Sequence, residues 1–299
     1  MATYRHLGAL AQDIYDTTGS STSATARGWA RRDPMNWREG FAAGTYSRLG
    51  ETVIAFRGTE DTQDIIDDLL MVPIARPGAA RDAVESLLRI YGVSMGPVLD
   101  FMAPRITEAV LQTEAVRDQV RRRLNRVPTE QVRAALRYFD ACSPRPVAVC
   151  GHSLGGALAQ VVSQQRGVTA VSFNGPFMGD IGGAAPMSSG DLIYVNAIGD
   201  PLSFMTGAMG HVPHGQLHTV RLPAFRRPPV RQDSAPTWLR VVSPALAIGA
   251  DCADSARQYA ETLRYLGETM LYHHSIDSLV PALSASARFA STVPGAPLP

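Results

Sequence analysis

Val147-Ala148-Val149-Cys150-Gly151-His152-Ser153-Leu154-Gly155-Gly156-Ala157 carries the strongest fold signal in the chain. It opens on an apolar run that reads as a short buried strand and closes on the start of a segment, Leu154–Gln165, rich in Ala, Leu and Val. Between them lies Gly-x-Ser-x-Gly. A sharp strand-to-helix turn lifts a serine hydroxyl clear of a sheet, and glycines at 151 and 155 let neighbouring backbone pass without side-chain clashes. The helix N-terminus adds backbone N–H groups and partial positive charge, which favour a developing oxyanion. The motif alone is weak; strand, motif and helix together predict an activated nucleophile at Ser153.

Working outward, Thr52-Val53-Ile54-Ala55-Phe56 reads as a strand buried on both faces. It pairs with a strand opening at Phe41 through a turn at Arg48-Leu49-Gly50-Glu51. Ala170–Phe173 and Leu192–Val195 are further short strands, and Leu7–Tyr15 has the apolar spacing of a core-facing helix. Residues 79–138 and Ala253–Tyr272 read as largely helical, Pro223–Pro236 as an exposed excursion and Ser286–Pro299 as a loose tail. Short apolar strands alternating with helices predict a mostly parallel sheet in one α/β domain spanning 1–299.

Composition narrows the functional classes. Net charge is +1, so no broad field points to nucleic acid or an acidic partner. Three cysteines without paired spacing argue against a disulfide framework or a zinc site, and Cys150 reads as a small core residue. No metal or other cofactor is expected. The N-terminus lacks a basic-then-apolar signal, and no apolar stretch reaches membrane-spanning length. The expected location is cytoplasmic, or outside the cell by a signal-independent route.

Gly-His-Ser-Leu-Gly-Gly-Ala-Leu-Ala resembles the nucleophile motif of the class 3 lipases, α/β-hydrolases that include the fungal triacylglycerol lipases. Ile54-Ala55-Phe56-Arg57-Gly58-Thr59 is similar to that family's strand and oxyanion loop, and Asn196-Ala197-Ile198-Gly199-Asp200-Pro201 to its acid loop. The resemblance implies an α/β-hydrolase fold with a helical cap or lid. It implies an oxyanion hole from the N–H of Leu154 and from Thr59, and a triad in the order Ser, Asp, His.

Asp200 follows the run Leu192–Ile198, which places it at the carboxyl end of a strand on the edge that carries Ser153. Asp191 would lie at the opposite edge, and Asp180 is the fallback. Among the histidines beyond Asp200, the resemblance of Tyr272-His273-His274-Ser275-Ile276-Asp277 to the family's His-Ser-Ile-Asp turn implies His274 as base, with His273 the alternative. His214-Gly215 matches an element that is structural in the family. His152 sits beside the nucleophile on a sharp turn and is read as packing or hydrogen bonding near the sheet.

Asp61–Val72 fills the family's lid position, and Ile65, Ile66, Leu69 and Leu70 share a helical face. A moving lid and an ordinary packed helix both fit that pattern. Asp64, Asp67 and Asp68 are read as solvated charges rather than calcium ligands. Arg57 and Gly151 are 94 positions apart, longer than in many members, and residues 61–125 are assigned to lid and insertion. Together these features predict a serine-dependent carboxylic-ester hydrolase acting on lipid at a membrane or micelle surface, a lipase or an A-type phospholipase. The rivals are a soluble short-chain esterase or thioesterase, an inactive binding module, and a delivered antibacterial phospholipase with an immunity or chaperone partner.

Overall fold

A computed structural model describes residues 2–16, 27–32, 36–38, 41–58, 91, 129–178, 191–208, 212–225, 265 and 268–293. The proposed lid at Asp61–Val72 lies outside the described residues, as does the insertion except for Tyr91.

The centre is one twisted sheet. Strand β1 is Ala30–Arg31, β2 Asn36–Arg38, β3 Phe41–Arg48, β4 Glu51–Phe56, β5 Ala148–His152, β6 Thr169–Phe173, β7 Leu192–Ala197 and β8 Gln216–Val220. Its order is β1-β3-β4-β5-β6-β7-β8, with β2 also paired to β3. The β3–β4 hairpin is antiparallel, and its turn residues Leu49 and Gly50 both have positive φ, at 48° and 81°. Such angles suit a two-residue turn whose twist matches the flanking strands. From β4 to β8 every pairing is parallel. This is the α/β-hydrolase fold, and it confirms the parallel sheet expected from the sequence.

Alternation along each strand sends side chains to two cores. Val53, Ala55, Ala148, Cys150, Val171 and Phe173 face helix α1 (Tyr4–Asp13) and helix α5 (Ile276–Ala285). Ile54, Phe56, Val149, Ala170 and Tyr194 face α2 (Thr129–Ala141) and α3 (Leu154–Arg166). Helix α1 is fixed at its start by a capping box, with Thr3 Oγ1 accepting from His6 N and His6 Nδ1 accepting from Thr3 N. Leu7, Leu10 and Ile14 on its inner face have no exposed surface. Burial of each contributes about 1.5–3 kcal/mol. At its far end, buried Asp13 accepts from Tyr46 Oη at 2.7 Å and pairs with Arg31 at 2.6 Å.

Two features differ from the sequence reading. Strands β1, β2 and β8 were not expected. In β8 only Val220 is buried, so its sequence carries little apolar signal. The stretch from Ser286 is not wholly a loose tail. Ala287–Ala290 forms a 3-10 turn that buries Phe289, and Val293 N donates to Ala2 O at 3.1 Å. Two isolated apolar residues, Phe289 and Val293, sufficed to dock it beside α1.

Candidate active site

Because β5, β6 and β7 run parallel, their carboxyl ends share one edge, where α/β sheets assemble ligand sites. At β5 the chain turns directly into α3. Ser153 caps that helix at φ 57°, ψ −126°, a conformation that costs of order 1–3 kcal/mol for a residue with a Cβ. The elbow is held by Ser153 N donating to Phe173 O at 3.0 Å and by Ala157 N donating to Ser153 O at 3.2 Å. A Cβ at Gly155 would strike the carbonyl of Phe56, and one at Gly151 would strike the carbonyl of Gly155. The two motif glycines are therefore required by close approach of β4, β5 and α3.

At β7 the strand ends and Asp200 caps a second helix, α4 (Pro201–Ala208). Its Oδ2 accepts from Ser203 N at 2.8 Å, as an N-capping carboxylate does, and Pro201 fills the first helical position. The remaining oxygen, Oδ1, accepts from His274 Nδ1 at 2.6 Å. His274 ends a helical stretch over 268–274, just before Ser275 caps α5. With Nδ1 donating to the carboxylate, Nε2 is bare and faces Ser153 Oγ at 3.0 Å. All three side chains are buried, with Asp200 and His274 at 1% exposure, so solvent does not compete for either link.

The structure thus brings together Ser153, Asp200 and His274. His273, the alternative base, points elsewhere: its Nδ1 donates to Ile198 O at 2.8 Å and its ring lies 5.1 Å from that of Tyr91. Burial lowers the basicity of His273, partly offset by its bond to Ile198. Leu154 opens α3, where the first N–H groups have no carbonyl partner within the helix. Thr59 lies outside the described residues, but Gly58 before it packs against the elbow; a Cβ there would stand 3.2 Å from Ser153 Cβ. The loop after β4 therefore reaches the nucleophile. His214-Gly215 is structural: a Cβ at 215 would strike the carbonyl of Leu192. Among the described residues no group of His, Cys, Asp and Glu is placed to hold a metal ion.

Several polar residues that sequence reasoning missed surround the triad. Asn174, at φ 45° past the end of β6, donates from Nδ2 to His274 O at 2.9 Å and to His273 O at 3.1 Å. Its Oδ1 accepts from Ala197 N at 2.7 Å. The available signal was its place: Asn174-Gly175-Pro176 follows a strand, as Ser153 and Asp200 do. Tyr91 donates to Gly199 O at 2.7 Å and so supports the acid's loop from within the insertion. Tyr15, read only as a core residue, bonds to His152 at 3.0 Å. Beside His273 a cavity of about 570 Å³ is lined by Tyr91, Ile198, Leu222, Phe225 and Tyr265 among others.

The family model described as "Lipase (class 3)" matches residues 53–189, from β4 past the elbow and β6. The match stops short of β7, so Asp200 and His274 rest on geometry rather than on the matched segment. No curated protein matches the chain. The matched family implies hydrolysis of lipid esters. Among the described residues no helix is long and apolar enough to cross a membrane.

Proposed function

We propose, from the site geometry and the match of residues 53–189 to the class 3 lipase family model, that the chain hydrolyses carboxylic esters of lipids by acyl transfer through Ser153, with His274 as base and Asp200 as its orienting acid. The observation that carries this reading is the buried line from Asp200 Oδ1 to His274 Nδ1 at 2.6 Å and from His274 Nε2 to Ser153 Oγ at 3.0 Å. Each bond prepares the next step. The carboxylate fixes the tautomer that leaves Nε2 free to take the hydroxyl proton as Ser153 attacks the ester carbonyl. The tetrahedral oxyanion then lies near the N–H of Leu154 and, by the family pattern, Thr59. Return of the proton from His274 releases the alcohol and leaves an acyl-serine. A water activated by the same imidazole hydrolyses it.

The substrate reading is a lipid ester presented at a membrane or micelle surface, cleaved in the manner of a lipase or an A-type phospholipase. The test is lipid mass spectrometry of mixed phospholipids and triglycerides after incubation with wild type and with Ser153→Ala. Free fatty acid and the matching lyso- or diacyl product are expected with wild type only. Equal product from Ser153→Ala, or no product from any lipid, would refute the reading.

A further inference from the structure

We infer that Tyr15 and His152 are positioning residues that hold the main chain of His274 in register with the loop following β4. The inference rests on the triad reading above and assigns two residues which touch no reacting atom.

Three hydrogen bonds in series carry it. Gly58 N donates to Tyr15 Oη at 3.1 Å. Tyr15 Oη in turn bonds to His152 Nδ1 at 3.0 Å, and His152 Nε2 bonds to His274 O at 2.6 Å. With His152 neutral, only one proton arrangement satisfies all three. A backbone N–H can only donate and a carbonyl can only accept. His152 must therefore carry its proton on Nε2, and its bare Nδ1 must receive the hydrogen of Tyr15. The series runs one way, from the β4 loop to the base, with no link that can reverse.

Placement makes the series consequential. His152 immediately precedes Ser153, so its backbone moves with the nucleophile. Gly58 belongs to the loop that continues into Thr59. The carbonyl of His274 takes a second donor, Asn174 Nδ2, at 2.9 Å, and Asn174 is tied through Oδ1 to the end of β7. The ends of β4, β5, β6 and β7 thus converge on the carbonyl of one residue, whose ring must stay within hydrogen-bond reach of Ser153. Burial and the neighbouring His274 ring lower His152 to about 3, which keeps its neutral tautomer across the working range of an ester hydrolase. A misplacement of about 1 Å between nucleophile and base costs roughly 100-fold in rate.

The test compares Tyr15→Phe, His152→Phe and His152→Gln with wild type on a soluble p-nitrophenyl ester, with active sites titrated by a fluorophosphonate. Tyr15→Phe removes a single oxygen, so it keeps the test valid if His152→Phe fails to fold. The expected result is a fall in kcat per titrated site of about 10- to 100-fold for both Phe variants, with KM within about twofold. His152→Gln, whose side-chain N–H can still reach His274 O, is expected to recover at least about a fifth of the wild-type kcat per site. A purely structural role would lower melting temperature and the titratable fraction but leave kcat per titrated site unchanged. That outcome overturns the inference while leaving the triad standing. An inactive wild type, or an active Ser153→Ala, sinks the triad reading instead.

Discussion

Ser153 occupies a backbone conformation that few residues with a Cβ adopt, and its neighbours determine whether it can stay there. Gly155 packs against the carbonyl of Phe56, so Gly155→Ala is expected to fail in expression or to lose several kcal/mol of stability by chemical denaturation. Asp200→Asn keeps the size of the side chain and can still accept one bond from His274, but it cannot stabilise the imidazolium. Its kcat is expected to fall by about 10⁴ with a normal melting temperature, measured on a monomeric ester. Ser153 and Asp200 stood out in the sequence because each follows a strand and precedes a helix in a short motif, and His274 because Tyr272–Asp277 resembles the family's His-Ser-Ile-Asp turn. Tyr15, Asn174 and Tyr91 were not. Each acts through a partner far along the chain, 137 positions away for Tyr15 and His152, and no local pattern encodes that.

Helix α1 links stability to the site, since its end delivers Tyr15 to the elbow. Asp13 near that end is buried and binds both Arg31 and Tyr46. Asp13→Ala would leave the half-buried Arg31 without its buried carboxylate, and a loss of about 3–5 kcal/mol in denaturant unfolding is expected. The start of the chain also depends on the C-terminal segment, where Phe289 and Val293 are buried and Val293 bonds to Ala2. Truncation after Ser286 is expected to lower the melting temperature by several degrees, read by calorimetry. The main strands and α3 were legible because apolar runs and glycine breaks mark them. Edge strand β8 was not, because an edge buries little and so lacks the apolar periodicity that signals a strand. The docked tail was missed for a related reason: two apolar side chains among small and polar residues look like loop composition.

Taken whole, the molecule resists protonation at several of its histidines, most strongly at half-buried His6 and buried His152. Burial and the Arg48 guanidinium lower His6 to about 4, and burial lowers His152 to about 3. In the unfolded chain both titrate near the ordinary value of about 6.5. Above that pH both states are neutral at these sites and stability is unaffected. Below it the unfolded state takes up protons that the folded state refuses, so stability is lost as pH falls from about 6.5 toward 4. Denaturant midpoints measured across that window are expected to decline on acidification, and replacing His6 with Gln is expected to flatten the slope. A midpoint that holds constant or rises would show that the folded protein does not hold these histidines in neutral form.

Intact and peptide mass spectrometry after exposure to a fluorophosphonate tests Ser153 as the nucleophile most directly. A single adduct on Ser153 is expected, formed at least about 100-fold more slowly in His274→Ala, which lacks the base that activates the hydroxyl. An unlabelled Ser153 in folded wild-type protein, or labelling that does not depend on His274, would contradict it.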